Sequence, residues 1–287
     1  MKLLNITILL FAFTLSAQND SIPLLKFETE FYKGTDRWVA FPKSTKNELY
    51  PFGIIYIDQT AGFTFEYVGN FKIENQRLIN LDTSTVRTSS MKHRLQSNTR
   101  NLHVFTDNEI EELGLEPTSK WIETYKWNAE TPKYKVDIAS FYNAVGGSKI
   151  ALPILEGLYS NGSKDKKLLF ELSYAYNALK DYSNARDILL KSIKEYPDDE
   201  LFYKELSYAY IYLEELSKSE KTYTDYIKNT KERRYQAEMA YNLTYSFFAN
   251  KNIEKFNEWA SITSKIPKAN QVFSKNIELM KKELEKL

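Results

Sequence analysis

The sequence predicts an α+β fold, a small antiparallel β-containing region followed by an all-α array of paired helices. Three observations carry this. Over the hundred residues before Tyr134, apolar and polar side chains alternate with period two between turn residues. From Tyr134 onward the apolar residues fall at helical spacing and glycine becomes rare. Finally, the hexapeptide ELSYAY occupies residues 171–176 and again residues 205–210, a displacement of 34 that matches the period of a helical repeat.

Residues 1–17 combine a basic start (Lys2), an apolar stretch over residues 3–15 and the small-residue end Ser16-Ala17 before polar Gln18. This is the pattern of a cleaved secretory signal and predicts an exported protein, periplasmic or secreted. A short uncleaved anchor is the competing reading. Spanning the hydrocarbon core takes about 20 apolar residues, and no later window approaches that, so no transmembrane segment is expected after signal removal. With no cysteine in the chain, disulfides, thiolate metal sites and lipid-modified cysteine anchors are excluded. Loss of Lys2 with the signal takes the formal charge from +1 to zero, which argues against nucleic acid as a partner, because that binding rests on neutralising phosphates.

Residues 18–130 form the expected β-containing domain. Ile55 and Ile57 open a strand-like run, and residues 63–67 alternate aromatic with polar side chains as a half-buried strand does. Gly69-Asn70, glycine first, has the chemistry of a tight hairpin turn leading into residues 71–73. Residues 38–41 read as an edge strand ended by Pro42, and the Ser/Thr-rich residues 81–96 as strand or loop. Asp107 or Thr106 caps a short helix through Glu112 that Gly114 closes, and Thr118 caps another bearing Trp121, Ile122 and Tyr125.

Thr131-Pro132 opens the second part, expected as four helix–turn–helix units over residues 131–270 and a capping helix over 271–287. The clearest unit places Leu169, Leu172, Ser173 and Tyr176 on a first helix and Ala185 and Leu189 on a second, closed by Pro197. The next repeats it with Tyr203, Leu206, Ser207 and Tyr210, then Ser219 and Tyr223, and Asp198 or Asp199 caps its first helix. The small residues let the paired helices approach closely. Extended backward, the register takes in Ile138, Ala139 and Tyr142, then Ala151 and Leu155, with Gly146-Gly147 as the turn. Forward, after three extra residues, it takes in Ala240, Leu243, Thr244 and Phe247, but Phe256 stands where a small residue is expected. Phe273, Ile277, Met280, Leu284 and Leu287 line one face of the terminal helix, the cap an open stack needs.

On these residues the chain resembles the tetratricopeptide (TPR) family, exported bacterial type, over about residues 132–287. The resemblance implies peptide ligands held in a concave groove lined by the first helix of each unit. Carried onto this chain, the groove positions are Phe170, Tyr174 and Asn177, then Lys204, Tyr208 and Tyr212, then Tyr241, Tyr245 and Phe248. Tyr174, Tyr208 and Tyr245 form a column. A tyrosine-lined groove suits apolar or extended segments held by stacking; the alternative is that the tyrosines pack between neighbouring helices.

No constellation of reactive residues competes with this. His93 and His103 lie in a basic stretch with no second ligand at helical spacing and are expected at the surface. Asp107, Glu109, Glu111 and Glu112 lack the ligand pattern of a calcium loop and suit a helix start. Ser89 and Lys92 have Ser-x-x-Lys spacing without its companion motifs, and Gly146-Gly147-Ser148-Lys149 lacks the first glycine of a phosphate loop. The expected function is a non-enzymatic, exported protein that binds a protein or peptide, with no cofactor or metal. Two alternatives are a hydrolase or ligand-binding N-terminal domain with the repeats as adaptor, and a glycan-binding protein.

Overall fold

The computed structural model describes residues 25–44, 48–81 and 91–286. The expected signal at residues 1–17, Ser89 and Leu287 lie outside them. The described chain is α+β, with an antiparallel sheet running into a stack of helices.

The sheet comprises β1 (Trp38–Ala40), β2 (Tyr50–Asp58), β3 (Gly62–Glu74), β4 (Arg77–Asn80), β5 (Met91–Arg94) and β6 (His103–Val104). Their order is β4-β3-β2-β1-β6, and β5 pairs with the other end of the outer edge of β3. Both faces are apolar, because β2 alternates between two cores. Phe52, Ile54 and Tyr56 join Trp38, Ala40, Phe71 and Phe105 on one side, while Ile55 and Ile57 join Val39, Phe63 and Phe65 on the other.

Gly69-Asn70 is not a turn. β3 runs straight through it, with Gly69 opposite Phe52 and Tyr67 opposite Gly53, which leaves Val68 as the extra residue of a β-bulge. One inserted residue exchanges the faces of a strand, so Phe63 and Phe65 point into one core and Phe71 into the other. The reversals lie on either side. Asp58 accepts from the backbone of Thr60 and Ala61 at 2.9 Å, and Gly62 completes that loop at φ +77°. Asn75 and Gln76, both at positive φ, make the two-residue turn into β4. Gly53 allows the bulge's close approach, since a Cβ there would lie 2.0 Å from the carbonyl oxygen of Glu66.

Nor is β1 an edge strand. It pairs with β2 on one side and with β6 on the other. The short helix α1 (Asp107–Glu112) starts at Thr106, which accepts from Glu109 N while the Glu109 carboxylate accepts from Thr106 N, a full capping box. The segment carrying Trp121, Ile122 and Tyr125 is a 3₁₀ helix, Lys120–Tyr125, that follows Ser119 rather than Thr118 and has no side-chain cap. With Leu113 and Ile122 these elements cover one face of the sheet.

The other face meets the helices. α2 (Pro132–Ala144) starts on the Thr131 hydroxyl with Pro132 in its first turn, and its Val136, Ala139 and Tyr142 share a core with Ile55, Ile57, Phe63 and Phe65. Phe63 meets Tyr142 edge to face at 5.2 Å. The stack continues through α3 (Ser148–Ser160), α4 (Lys166–Ala178), α5 (Tyr182–Glu195), α6 (Glu200–Tyr212), α7 (Leu216–Asn229), α8 (Gln236–Ala249), α9 (Ile253–Ser264) and α10 (Pro267–Leu284). Proline in its first turn starts α10 at Pro267, ahead of the expected residue 271.

The repeat is written in the backbone as well as the side chains. Gly146, Lys180, Glu214 and Lys251 all adopt left-handed conformations at the turn between paired helices. In each turn the next amide closes back on the last helical turn: Gly147 to Tyr142 O, Asp181 to Tyr176 O, Glu215 to Tyr210 O and Asn252 to Phe247 O, at 2.8–3.0 Å. Ala139 and Ala151, Ser173 and Ala185, and Ser207 and Ser219 are all buried. Ser207 and Ser219 share a hydroxyl hydrogen bond of 2.8 Å across their helix pair. In the last pair Phe256 fills the small position and the contact moves to Thr244 and Thr263, 2.9 Å apart.

The three extra residues lie between α7 and α8 and are anchored by buried Glu200, which accepts from the amide and guanidinium of Arg234 at 3.0–3.4 Å. Burial pushes the phenol of Tyr226, beside Glu200, up to about 12.

Candidate functional site

Which side of the stack is concave follows from which helices touch. α2, α4, α6 and α8 pack on one another in succession, and no comparable packing joins α3, α5, α7 and α9. The stack therefore bends with the first helix of each pair inside, and the predicted groove positions lie on that inner set.

Their surroundings differ. Phe170 and Tyr174, half-buried on α4, have ring centroids 6.2 Å apart. On α6, Tyr208 lies 4.6 Å from Tyr212, and Tyr212 stacks at 4.9 Å and 15° on Tyr182 from the start of α5. Tyr212 keeps 53% of its surface exposed, and Tyr245 on α8 keeps 54%. Tyr245 lies 6.2 Å from Phe248. Burial, with neighbouring Tyr212 adding to it, pushes the phenol of Tyr208 well above its ordinary value, so it is a hydrogen-bonding hydroxyl at any physiological pH. These rings form one cluster on α4, one on α6 with Tyr182, and one on α8.

Three predicted positions are engaged within the protein. Asn177 is 4% exposed and lies inside the stack, donating through Nδ2 to the carbonyl oxygen (3.2 Å) and carboxylate (2.9 Å) of Glu205. It packs α4 against α6 and does not face the groove. Tyr241 lies flat against Phe273 of α10 at 4.0 Å and accepts from Asn276. Lys204 sits 3.4 Å from Glu205, 3.7 Å from Glu238 and 5.3 Å over the Tyr235 ring. Burial depresses its ammonium pKa, but the two carboxylates outweigh that and raise it, so Lys204 is a neutralised cation.

Tyr182 was not among the predicted positions. It comes from a second helix rather than a first, but it stands 34 residues after Ser148, and that substitution of tyrosine for serine at one repeat position was a readable signal.

At the start of the inner helices a cleft of about 570 Å³ is lined by Pro132, Lys133, Val136, Asp137, Ser163, Asp165 and Lys167. Asp137 bridges Lys133 and Lys167 at 2.6 Å each. Burial pushes its carboxyl up, and the two ammonium groups more than reverse this.

The histidines divide. His93 is exposed on β5, whereas His103 is buried, against the expectation that both lie at the surface. Its Nε2 is 3.0 Å from both carboxylate oxygens of Glu109 and its Nδ1 accepts from the Lys26 amide at 3.2 Å. Glu109 is in turn the carboxylate of the α1 capping box. Every polar atom of this pair is committed to holding the first described residues and α1 on the sheet.

No protein-family model matches the sequence, and no curated protein matches it. Two solved structures are similar to part of the chain. One is TTC0263, a thermophilic TPR protein of Thermus thermophilus, 14% identical, with 55% of this chain and 85% of that chain covered at a TM-score of 0.44. The other is the MamA RS-1 ArsTM double mutant, 14% identical, with 54% of this chain and 93% of that chain covered at a TM-score of 0.41.

Proposed function

We propose that this protein is an exported, non-enzymatic interaction scaffold whose inner helix face binds a protein segment or peptide. The observation that carries the reading is the set of rings on the inner helices, Tyr174, Tyr208, Tyr212 and Tyr245, with Tyr182 stacked on Tyr212; Tyr212 and Tyr245 keep 53% and 54% of their surface exposed. Rings that are half exposed and braced by one another are rigid, amphipathic contact area available at little entropic loss. Export rests on the composition of residues 1–17. The sheet's part is to close the first end of the stack: its apolar face covers α2, which would otherwise be open.

Replacing Tyr174 and Tyr208 together by alanine tests the groove. Photo-crosslinking from an inner-face position, followed by identification of the captured partner, should succeed with the natural chain and fail with the double variant at unchanged helical content by circular dichroism. Capture that survives the double replacement places the binding surface elsewhere.

A further inference from the structure

We propose that the first helix pair carries a second docking surface, separate from the inner face, which seats a short amphipathic helix of a partner protein.

The repeat shows what this surface is shaped for. Inside the stack each unit is covered by the second helix of the unit before it. Tyr176 on α4 donates to the Glu156 carboxylate of α3 at 2.7 Å, and Lys191 on α5 donates to the Tyr159 phenol of α3 at 3.3 Å. Phe202 on α6 lies 6.1 Å from Tyr196, which follows α5. The first unit has no unit before it, and the sheet takes that place only in part. Tyr142, the equivalent of Tyr176, is met by Phe63 of the sheet. Gly157, the equivalent of Lys191, is not covered: a Cβ there would meet nothing within 4 Å.

What remains is a cleft of about 450 Å³ lined by Tyr134 and Ile138 of α2 and by Ile154, Gly157 and Leu158 of α3. Tyr134, Ile138, Ile154 and Leu158 are half-buried. Their equivalents in the second unit, Leu168, Leu172, Ile188 and Ser192, are buried, and so are Phe202, Leu206, Thr222 and Tyr226 in the third. The same four positions close wherever a unit precedes them, so a helix seated in the cleft continues an interface the stack already uses.

The details suit a helix from outside. Ile154, Leu158 and Asn161 mark about 10 Å of α3, two helical turns. Glycine is the poorest helix former after proline, and no contact among the described residues calls for one at 157, so its room is free for an occupant's side chain. Trp127, two residues before Ala129 in the cleft wall, keeps 66% of its surface exposed while its carbonyl oxygen accepts from Gln59 at 2.9 Å. An exposed tryptophan beside an apolar cleft is the kind of anchor on which docking energy concentrates. Lys135 at the rim pairs with Glu130 at 2.9 Å, so selection is by apolar shape rather than charge. The complementary ligand presents apolar residues at i, i+3, i+4 and i+7. A second copy supplies no such helix: α3, α5, α7 and α9 are built into the stack, and on the exposed face of α10 Lys275 separates Val272 from Leu279.

A library of fifteen-residue helix-forming peptides, randomised along one face and selected on the full chain, tests this. Peptides with the apolar stripe should be enriched on the natural chain and equally on the Tyr174→Ala/Tyr208→Ala variant, and not on Gly157→Leu, whose added side chain fills the cleft. An enriched peptide, followed by fluorescence anisotropy, should bind Trp127→Ala about tenfold more weakly. Circular dichroism checks that each variant is folded; if Gly157→Leu loses helical content, Ile154→Lys, which puts a charge in the cleft, replaces it. Absence of stripe-bearing peptides, or enrichment that survives the blocking variant, overturns the inference. Self-association of the natural chain in sedimentation velocity that the blocking variant abolishes would make the occupant a second copy, and overturns it too.

Discussion

The junction of α2 with α4 and that of α4 with α6 are made from the same parts 34 residues apart, and they are finished differently. In the first, Asn143 donates to the carbonyl oxygen (3.0 Å) and carboxylate (2.8 Å) of Glu171 and accepts from the Ser148 hydroxyl at 2.9 Å. In the second, Asn177 makes the same two bonds to Glu205, but its Oδ1 is buried without a partner. The residue that should supply it, at the position equivalent to Ser148, is Tyr182, and Tyr182 has turned to stack on Tyr212.

That exchange shows where the stack serves packing and where it serves its surface. A buried acceptor left unpaired destabilises by roughly 1–3 kcal/mol, and such groups in a native protein call for an explanation. Here the same substitution that orphans Asn177 builds the aromatic cluster on the inner face. Local rules broken in a real protein concentrate at functional positions, and this break coincides with the proposed groove. At the next junction Ile211 and Asn242 occupy the corresponding positions, so the repeated Asn–Glu pair ends there.

The largest expected difference comes from removing the two asparagines. Asn143→Ala leaves a buried carboxylate, a carbonyl and a hydroxyl unpaired and should destabilise by about 3 kcal/mol. Asn177→Ala leaves a carboxylate and a carbonyl but also removes an orphan acceptor, and should cost about 1–2 kcal/mol. Urea unfolding midpoints of the two variants measure this directly. Equal losses would mean that Ser148 contributes nothing to the first junction.

A smaller effect comes from making the second junction resemble the first. Tyr182→Ser returns a hydroxyl to the position from which Asn177 Oδ1 can be satisfied. In that background Asn177→Ala should become costlier by about 1 kcal/mol, the worth of one recovered hydrogen bond, while partner binding weakens as the ring is lost. An unchanged Asn177→Ala loss would separate the orphan acceptor from Tyr182.

Much of the helical stack is legible in the chain. The 34-residue displacement, Thr131-Pro132 and the small residues Ala139, Ser173 and Ser207 act through local propensity and close helix contact, which sequence spacing records. The sheet is less so. Gly69-Asn70 has the same composition whether it turns or sits beyond a bulge, and only the partner strand, with Gly53 admitting the Glu66 carbonyl, decides it. β1 reads as an edge because the strand beside it, β6, spans two residues, His103–Val104. The proposed groove positions fall on α4, α6 and α8, but exposure does not follow from spacing: Tyr241 is covered by Phe273, and Asn177 is drawn inward by Glu205, 28 residues away. That pair recurs 34 residues earlier as Asn143 with Glu171, so the period itself held the signal.

The smallest effect concerns Glu171 in the complete junction. Burial pushes its carboxyl above the ordinary value of 4.5, and the Asn143 amide and Lys167 offset this in part. Between 4.5 and the raised value the folded state holds a proton that the unfolded chain has released. The group's contribution to stability is therefore full below about pH 4.5 and is lost as pH rises through the folded value. Glu171→Gln keeps an oxygen for the Asn143 amide and never ionises, so it should stabilise the protein at about pH 7.5 and match the natural chain at about pH 4.5. Melting temperatures of both proteins across that interval give the difference, and a difference that stays constant with pH would show that the carboxylate is not penalised by its place between α2 and α4.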